Sequence, residues 1–338
     1  MKIMVFDVPA EHGGALTILK QYYEEAVNDK NNDWYFVIST PELVEIKNVR
    51  VLRFPWVKKS WFHRLYFDKF VAHKIVLQYQ ADEVLSLQNV IVEGVRCKQT
   101  LYLHQPLPFV EKRYRITEDA KLWAYQNLIS RMIYKSVRKA DKVIVQTKWM
   151  KDVCVSKLKV MSEKIAVIPP KINIKINRYF EPKEKHLHTF FYPANGFIYK
   201  KHKVIVDAAL LLKERGVSDY KIIFTLQGDE NKHIEGLFKQ VKKNNLPIEF
   251  IGAITQEQVF DYYSRSVLIF PSYIETFGLP MLEARLHHTP VLASDMPFSH
   301  EILDGYEKVR FFDVEDVAEL AEIMEQSQEY YKTRILFD

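Results

Sequence analysis

Cysteine is scarce in this sequence, and long apolar runs are absent from it. Only Cys97 and Cys154 occur among the 338 residues, far apart and without the spacing of metal ligands. Neither a disulfide framework nor a zinc site is therefore expected. No segment approaches the roughly 20 apolar residues that a membrane span needs, and the start, MKIMVFDVPA, lacks the pattern of a signal peptide. We expect a cytoplasmic protein in a reducing compartment.

Acidic residues are slightly fewer than basic residues. The sequence has 48 Lys and Arg residues against 43 Asp and Glu residues, which gives a formal net charge of +5. This sign favours anionic partners, namely phosphates, an acidic membrane surface or nucleic acid. Nucleic acid is not expected, because the sequence shows neither a recognition motif nor a concentrated basic face.

Short apolar segments alternate with helical patterns along the chain. They predict strands at 2–8, 34–39, 49–54, 81–87, 99–105, 140–147, 164–169, 188–194, 220–228, 248–252, 267–272 and 290–295. Such alternation predicts parallel sheets covered on both faces, and Pro169-Pro170 interrupts it. The predicted fold class is α/β, with two Rossmann-like doubly wound domains, 1–170 and 171–319, that face a central cleft. A last helix, at about 320–338, is a candidate to pack back on the first domain.

The strand VLIFPS leads into a loop and a helix with the sequence YIETFGLPMLEARLHH. Pro280 suits the first turn of a helix because it has no amide hydrogen to lose there, so the helix is predicted to start near Leu279. The amides of Phe277, Gly278 and Leu279 then lie at or just before a helix N-terminus, where unpaired donors and the helix dipole favour an anion. A diphosphate would suit this place.

Two glutamates flank this turn. Glu283, about one turn into the helix, can direct its carboxylate toward vicinal hydroxyls such as those of a ribose. Glu275, in the loop, would lie on the side of a donor sugar and could bind one of its hydroxyls. Either glutamate alone could instead be a cap or a favourable first-turn acid. Both acids occur together with the glycine and the proline after an apolar strand, and this combination favours a binding function.

The segment ETFGLPMLEA resembles the signature of the retaining GT-B glycosyltransferases of family 4, the group 1 glycosyltransferases, of the bacterial surface-polysaccharide type. The resemblance extends upstream through IEFIGAITQEQVFDYYSRSVLIFPS and downstream through PVLASDMPFSHEIL, and it is weaker in the first half. It implies two Rossmann-like domains and a metal-independent reaction. It also implies Glu275 near the donor sugar, Glu283 on the ribose and loop amides on the diphosphate.

Three lysines, Lys200, Lys201 and Lys203, stand between a predicted strand and an amphipathic helix in YPANGFIYKKHKVIVDAALLL. A fixed cation there would stabilise the charge that builds on a leaving diphosphate. Lys200 and Lys201 are both candidates for the family's lysine, whereas Lys203 is interpreted as a solvated helix residue. The family's arginine about six residues earlier is missing, since only Ala194 or Asn195 stands there.

The first half offers weaker candidates. Gly13 and Gly14 follow the first strand and could let backbone amides face the donor phosphates. His104 follows the strand QTLYL and resembles the substrate-contacting histidine of the family, although a lone histidine can also be structural. The segment 54–70, FPWVKKSWFHRLYFDKF, mixes aromatic and basic residues. It suits a membrane interface or, equally, a helix that packs its aromatics inward.

These observations predict a retaining glycosyltransferase that moves a sugar from a nucleotide-diphosphate donor to a saccharide or lipid-linked acceptor in surface polysaccharide biosynthesis. A UDP-sugar is slightly preferred over a GDP-sugar. No Asp-x-Asp motif occurs at a strand end, so no metal and no other cofactor is expected. A non-catalytic nucleotide-sugar-binding subunit and a GT-B sugar-nucleotide epimerase are the alternatives. The expected location is cytoplasmic, with the inner face of the membrane as an alternative.

Overall fold

The structure is a computed structural model that describes residues 1–11, 13–171 and 174–335, with all side chains in these ranges except those of 328 and 332–335. The chain forms two compact units, Met1–Ile172 and Asn173–Asp338. The boundary predicted after residue 170 lies beside this division.

The first unit is built on a parallel sheet. Its strands are β1 (Lys2–Asp7), β2 (Asp33–Ile38), β3 (Val49–Arg53), β4 (Glu83–Ser86), β5 (Lys98–Tyr102), β6 (Lys142–Val145) and β7 (Ile165–Val167). In the described chain their spatial order is β3-β2-β1-β4-β5-β6-β7, and every pair is parallel. Each strand predicted for this half is present, with slightly different ends.

Helices cover this sheet and connect its strands. They are α1 (Gly13–Asn28), α2 (Trp61–Tyr66), α3 (Ala72–Tyr79), α4 (Ala120–Ala124), α5 (Ser130–Lys139) and α6 (Lys148–Leu158). The 3-10 turns Pro55–Lys59 and Ser162–Lys164 and the π-helical turns Phe67–Val71 and Tyr125–Ile129 complete the set. Each π-helical turn joins two α-helices without a break, α2 to α3 and α4 to α5.

Strand β1 lies inside the first sheet, between β2 and β4, and is buried on both faces. Val5 packs in one apolar cluster with Ile18 of α1. Met4 and Phe6, which point the other way, pack in a second cluster with Phe67. A parallel strand covered on both faces reads as a continuous apolar run, and this explains why the strand pattern was recognisable in the sequence.

The second unit repeats the design with a smaller sheet. Its strands are β8 (Thr189–Tyr192), β9 (Lys221–Phe224), β10 (Ile248–Phe250), β11 (Val267–Phe270), β12 (Val291–Ser294) and β13 (Val309–Phe312). In the described residues their order is β10-β9-β8-β11-β12-β13, again all parallel. Its helices are α7 (Glu184–Leu187), α8 (His202–Glu214), α9 (Lys232–Lys243), α10 (Gln256–Tyr263), α11 (Leu279–Leu286), α12 (Pro297–Leu303) and α13 (Val317–Ile335), with a 3-10 turn at Ile198–Lys200.

One strand of this unit was missed by the sequence prediction. Strand β13 was not predicted, because it is largely half-buried and contains Arg310, so its apolar pattern is weak. Helix α13 packs against α7, α8 and β13 of its own unit. The Ser327 hydroxyl donates to the Leu187 carbonyl at 3.0 Å, and the Tyr331 hydroxyl donates to the Val291 carbonyl at 3.2 Å. The predicted helix also included residues 336–338, which lie outside the described residues.

Each sheet has one point where the strand order changes direction. In the first sheet it lies between β1 and β4, and in the second between β8 and β11. Ligands of open parallel sheets bind beyond the carboxyl ends of the strands at such a point. The loops that follow these four strands are therefore the places to examine for function.

Asp7, the last residue of β1, carries a carboxyl group at the switch point of the first sheet. It is fully buried, and neither carboxylate oxygen has a hydrogen-bond partner among the described residues. Burial raises the pKa of Asp7 to about 8, although the positive charges of Arg64 and Lys58 oppose this rise. A carboxyl group in such a place costs stability when it is ionised.

We predict that Asp7→Asn removes a pH dependence of stability. Between about pH 4 and pH 8, folded Asp7 keeps a proton that the unfolded chain releases, so the free energy of unfolding falls as the pH rises through this window. The free energy of unfolding of the variant should therefore rise relative to that of the wild type between pH 5 and pH 9. The expected gain in urea denaturation is on the order of 4 kcal/mol, since each of the roughly three pH units between pH 5 and the pKa contributes about 1.4 kcal/mol. Asp33→Asn, at an exposed position on the neighbouring strand, is the control. An equal difference between Asp7→Asn and the wild type at both pH values would contradict the prediction.

Candidate functional site

Lys200 and Glu275 form an ion pair at the switch point of the second sheet. Lys200 ends the 3-10 turn that follows β8, and Glu275 lies in the loop that follows β11. The Lys200 Nζ contacts the Glu275 Oε1, and the two side chains are only 14% and 17% exposed. The pair is therefore largely withdrawn from water, where charges interact more strongly than at an open surface.

Backbone and tyrosine contacts fix the two loops that carry this pair. The Tyr273 amide donates to the Tyr199 carbonyl at 2.9 Å and so joins one loop to the other. The buried Tyr192, at the end of β8, donates its hydroxyl to the Lys200 carbonyl at 2.8 Å. These bonds hold the backbone of Lys200 next to the loop of Glu275.

The neighbouring lysines have other partners. Lys201 adopts a left-handed backbone with φ 57°, and its Nζ bonds to Glu315. Lys203 pairs with Asp207 one turn along α8, and its side chain is exposed. Of the two lysines that the sequence left open, Lys200 is thus the one that lies beside Glu275. The placement of Lys203 agrees with its interpretation as a solvated helix residue.

The turn before α11 has the backbone geometry that the sequence predicted. The helix begins at Leu279, with Pro280 in its first turn and Gly278 as the residue before it. Gly278 has a φ of 88°, in the left-handed region that favours glycine. Phe277 is buried and anchors the turn. In the first turn of α11, Pro280 has no amide hydrogen and the Met281 amide donates to the Gly278 carbonyl at 3.0 Å. The Leu279 amide, at the helix N-terminus, is therefore the one that can face an anion.

Glu283 lies inside α11 and is half-buried. It accepts a hydrogen bond from the Tyr263 hydroxyl at 3.1 Å, and Tyr263 is itself fully buried at the end of α10. Burial raises the pKa of Glu283 to about 7, although Tyr263 and Gln256 favour the charged form. A carboxylate that is this poorly solvated gains from any hydroxyl that hydrogen-bonds to it.

In the first unit, Gly13 and Gly14 begin α1. Gly13 has a φ of 64°, and a Cβ at either position would meet no atom within 4 Å. Close packing therefore does not account for Gly14, and the space above it is open.

His104 lies beyond β5 and is partly buried. Its amide donates to the Asn89 side chain at 2.8 Å, and its ring lies edge-on to Tyr102 with the centroids 5.8 Å apart. Burial lowers the pKa of His104, so the imidazole is neutral at neutral pH and can either donate or accept a proton.

No group of three or more His, Cys, Asp or Glu side chains in the described part of the chain is arranged to hold a metal ion. Likewise, no helix of the described residues is long and apolar enough to cross a membrane.

Comparison with known proteins assigns the second unit to a family. Residues 173–334 match the family model of the glycosyl transferases group 1. The second unit belongs to the group 1 glycosyltransferases. The chain is 27% identical over 229 residues to the O-antigen chain mannosyltransferase RfbU of Salmonella typhimurium, covering 64% of this chain and 61% of RfbU. It is 22% identical over 270 residues to a processive diacylglycerol alpha-glucosyltransferase of Acholeplasma laidlawii, covering 75% of this chain and 80% of that protein.

Solved structures establish the fold over nearly the whole chain. Anabaena HepE in complex with UDP-glucose superposes with a TM-score of 0.70 at 16% identity, covering 98% of this chain and 91% of HepE. WaaG, a glycosyltransferase involved in lipopolysaccharide biosynthesis, superposes with a TM-score of 0.70 at 14% identity, covering 98% of this chain and 93% of WaaG. The chain therefore has the GT-B fold, with two Rossmann-like α/β domains, and it resembles glycosyltransferases of the bacterial surface-polysaccharide type.

Two tyrosines that contact predicted residues of this group 1 glycosyltransferase unit were not found from the sequence. Tyr192 bonds to Lys200, and Tyr263 bonds to Glu283. Tyr192 belongs to the apolar strand HTFFYPA, so its pattern indicates only a core residue. Tyr263 lies 20 residues before Glu283, and a spacing in sequence does not reveal this contact. The available signal was the position of Tyr192 at the end of a predicted strand, where the carboxyl edge of the sheet lies.

We predict that the Glu283 carboxyl titrates near pH 7 and that Tyr263→Phe moves its midpoint upward. The tyrosine hydroxyl favours the charged carboxylate, so its loss should raise the pKa by about one unit. NMR of carbon-labelled glutamate carboxyls, assigned with Glu283→Gln, measures the midpoint. Tyr220→Phe, which removes a buried hydroxyl bonded to the Ala209 carbonyl, should leave it unchanged. A wild-type midpoint below pH 5 would refute the prediction.

Proposed function

We propose that this chain is a retaining glycosyltransferase that moves a sugar from a nucleotide-diphosphate donor to an acceptor hydroxyl. The observation that carries the proposal is the Lys200–Glu275 ion pair beside the N-terminus of α11, with Glu283 inside that helix. A cation, a helix N-terminus and two carboxylates at one switch point match the parts of a nucleotide sugar: a diphosphate, a sugar and a ribose.

In the proposed complex the diphosphate lies at the amides of Phe277, Gly278 and Leu279. Lys200 turns from Glu275 toward the phosphate, and Glu275 is then released to accept a hydroxyl of the donor sugar. Glu283 accepts the ribose hydroxyls. Without donor, the lysine and the carboxylate neutralise each other, so neither charge stands alone in a poorly solvated place.

The proposed reaction breaks the bond between the anomeric carbon and the diphosphate oxygen. Negative charge then builds on the diphosphate, and Lys200 stabilises it more in the transition state than in the ground state. The acceptor oxygen bonds to the anomeric carbon on the face that the diphosphate leaves, and the acceptor proton passes to the departing phosphate. No nucleophile of the protein takes part, and no metal is needed.

Gly13 and Gly14 are proposed donor ligands of the first unit, and His104 is a proposed sugar or acceptor ligand. The UDP-glucose bound to Anabaena HepE supports a slight preference for UDP-sugars. The mannosyltransferase RfbU acts on an O-antigen chain and the Acholeplasma relative on diacylglycerol, by their names. Both support a saccharide or lipid-linked acceptor in the biosynthesis of a surface polysaccharide.

A donor-binding subunit without transferase activity is the second candidate. It is favoured by Ala194 and Asn195, which stand where the family carries an arginine. Such a subunit would bind a nucleotide sugar and leave it intact.

We predict that Lys200→Met lowers the rate of donor turnover by about 10²- to 10³-fold, as the loss of one group that stabilises transition-state charge does. Turnover is measured as release of nucleoside diphosphate from a panel of UDP- and GDP-hexoses, with alkyl glycosides as acceptors. Lys203→Met, which removes an exposed lysine of the same segment, is the control and should stay near the wild-type rate. Excess EDTA should have no effect.

Three results would count against this proposal. Loss of turnover in EDTA would contradict the metal-free reaction. Equal losses of turnover rate in Lys200→Met and Lys203→Met would show that Lys200 has no specific role in the reaction. If calorimetry shows that a donor binds but the donor is neither transferred to an acceptor nor hydrolysed, the donor-binding subunit would be favoured.

A further inference from the structure

In the first unit, the segment of residues 54–70 turns four of its aromatic side chains outward. Trp61 is 57% exposed, Phe62 83%, Tyr66 56% and Phe70 46%. By contrast, Phe67 is fully buried in the core of the unit. Of the two interpretations that the sequence left open, inward packing applies to Phe67 and, in part, to Phe54 and Trp56, which pack against the core. It does not apply to the four exposed side chains.

A second helix extends this apolar face. The Trp61 ring lies edge-on to Tyr125, with the centroids 6.2 Å apart, and so α2 lies beside the π-helical turn that follows α4. That turn exposes Leu128 by 54%. Both helices contain a π-helical turn here, a distortion that is frequent at functional sites. We call the exposed side chains of both helices the aromatic surface, namely Trp61, Phe62, Leu65, Tyr66, Phe70 and Leu128.

Basic residues border the aromatic surface in two different ways. Lys59 and Lys69 are exposed and can reach a charged partner. Lys58 and Arg64 are held inward. The Lys58 Nζ donates to the Pro9 carbonyl at 2.7 Å, and the Arg64 Nε bonds to Asp68 at 2.7 Å.

We propose that the aromatic surface docks on an anionic lipid bilayer. Exposed Trp, Tyr and Phe rings with lysines at their edge suit the boundary between acyl chains and headgroups, where the rings are half immersed and the lysines meet lipid phosphates. Lys59 and Lys69 are exposed at the edge of this surface, and their charge complements that of anionic headgroups. A contiguous exposed apolar patch marks a surface on which another molecule or a membrane binds.

The place of the surface in the fold fits a membrane-bound substrate. Lys58 bonds to Pro9 and, at 3.0 Å, to Glu11, both in the loop between β1 and α1. This loop lies at the carboxyl edge of the first sheet, where ligands of such sheets bind. The inference extends the proposed function by giving a lipid-linked acceptor a surface from which to enter, but docking itself requires no donor and no turnover.

The test is co-sedimentation of the full chain, without donor, with vesicles of phosphatidylcholine alone or mixed with phosphatidylglycerol. The double variant Trp61→Ser/Phe62→Ser removes apolar surface, and Lys59→Gln/Lys69→Gln removes charge. Matched controls are Leu77→Ser/Met161→Ser and Lys139→Gln/Lys243→Gln, which change side chains that are also exposed. Leu77 and Met161 precede β4 and β7 and thus lie toward the amino edge of the sheet.

The expected result is binding to the mixed vesicles and much weaker binding to phosphatidylcholine alone. Loss of the two lysines should weaken binding about thirtyfold, since each lysine near an anionic surface contributes on the order of 1 kcal/mol. The aromatic pair should weaken it at least as much, and both control pairs should bind as the wild type does. Unchanged melting temperatures show that the variants are folded.

Absence of binding to either vesicle would overturn the proposal, as would binding that the surface variants leave intact or that the control pairs weaken equally. A failure here is distinct from a failure of the proposed function, because donor turnover with alkyl glycosides is measured without vesicles.

Discussion

The ion pair between Lys200 and Glu275 is the interaction on which the proposed chemistry depends. Both charges are largely withdrawn from water, and removal of either partner leaves the other poorly compensated. On the proposed function, Lys200 therefore stays paired with Glu275 until another anion competes for the lysine. A diphosphate at the N-terminus of α11 is such an anion, and its arrival would leave Glu275 to seek hydroxyl donors. One contact would thus couple donor binding to the placement of the sugar.

The parallel topology explains why these groups meet although they are distant in sequence. Strands β8 and β11 are neighbours in the sheet, so the loops after them lie side by side. The first sheet has a corresponding switch point, but the groups there are different. Strand β1 ends in the buried Asp7, and the loop after β1 is hydrogen-bonded to Lys58 of the segment that carries the aromatic surface. The two units share a fold plan, and their loops distinguish them.

Most strands and the loop of the two glutamates could be predicted from the sequence, because strands covered on both faces appear as apolar runs and ETFGLPMLEA has a distinctive spacing. The choice of Lys200 over Lys201 needed the backbone, since adjacent residues point to different carboxylates. The half-buried β13 has no clear period. Periodicity also does not tell which face of residues 54–70 meets the core, so the exposure of four of its aromatic side chains could not be predicted.

Calorimetric titration of UDP, or of GDP if UDP does not bind, into the wild type, Lys200→Met and Glu275→Gln tests the central claim most directly. The account predicts that Lys200→Met weakens binding about tenfold or more, as loss of a charged hydrogen bond does. Glu275→Gln should bind the nucleoside diphosphate at least as tightly as the wild type, because the lysine no longer has a competing partner. Unchanged affinity in Lys200→Met, or equal weakening in both variants, would contradict the account.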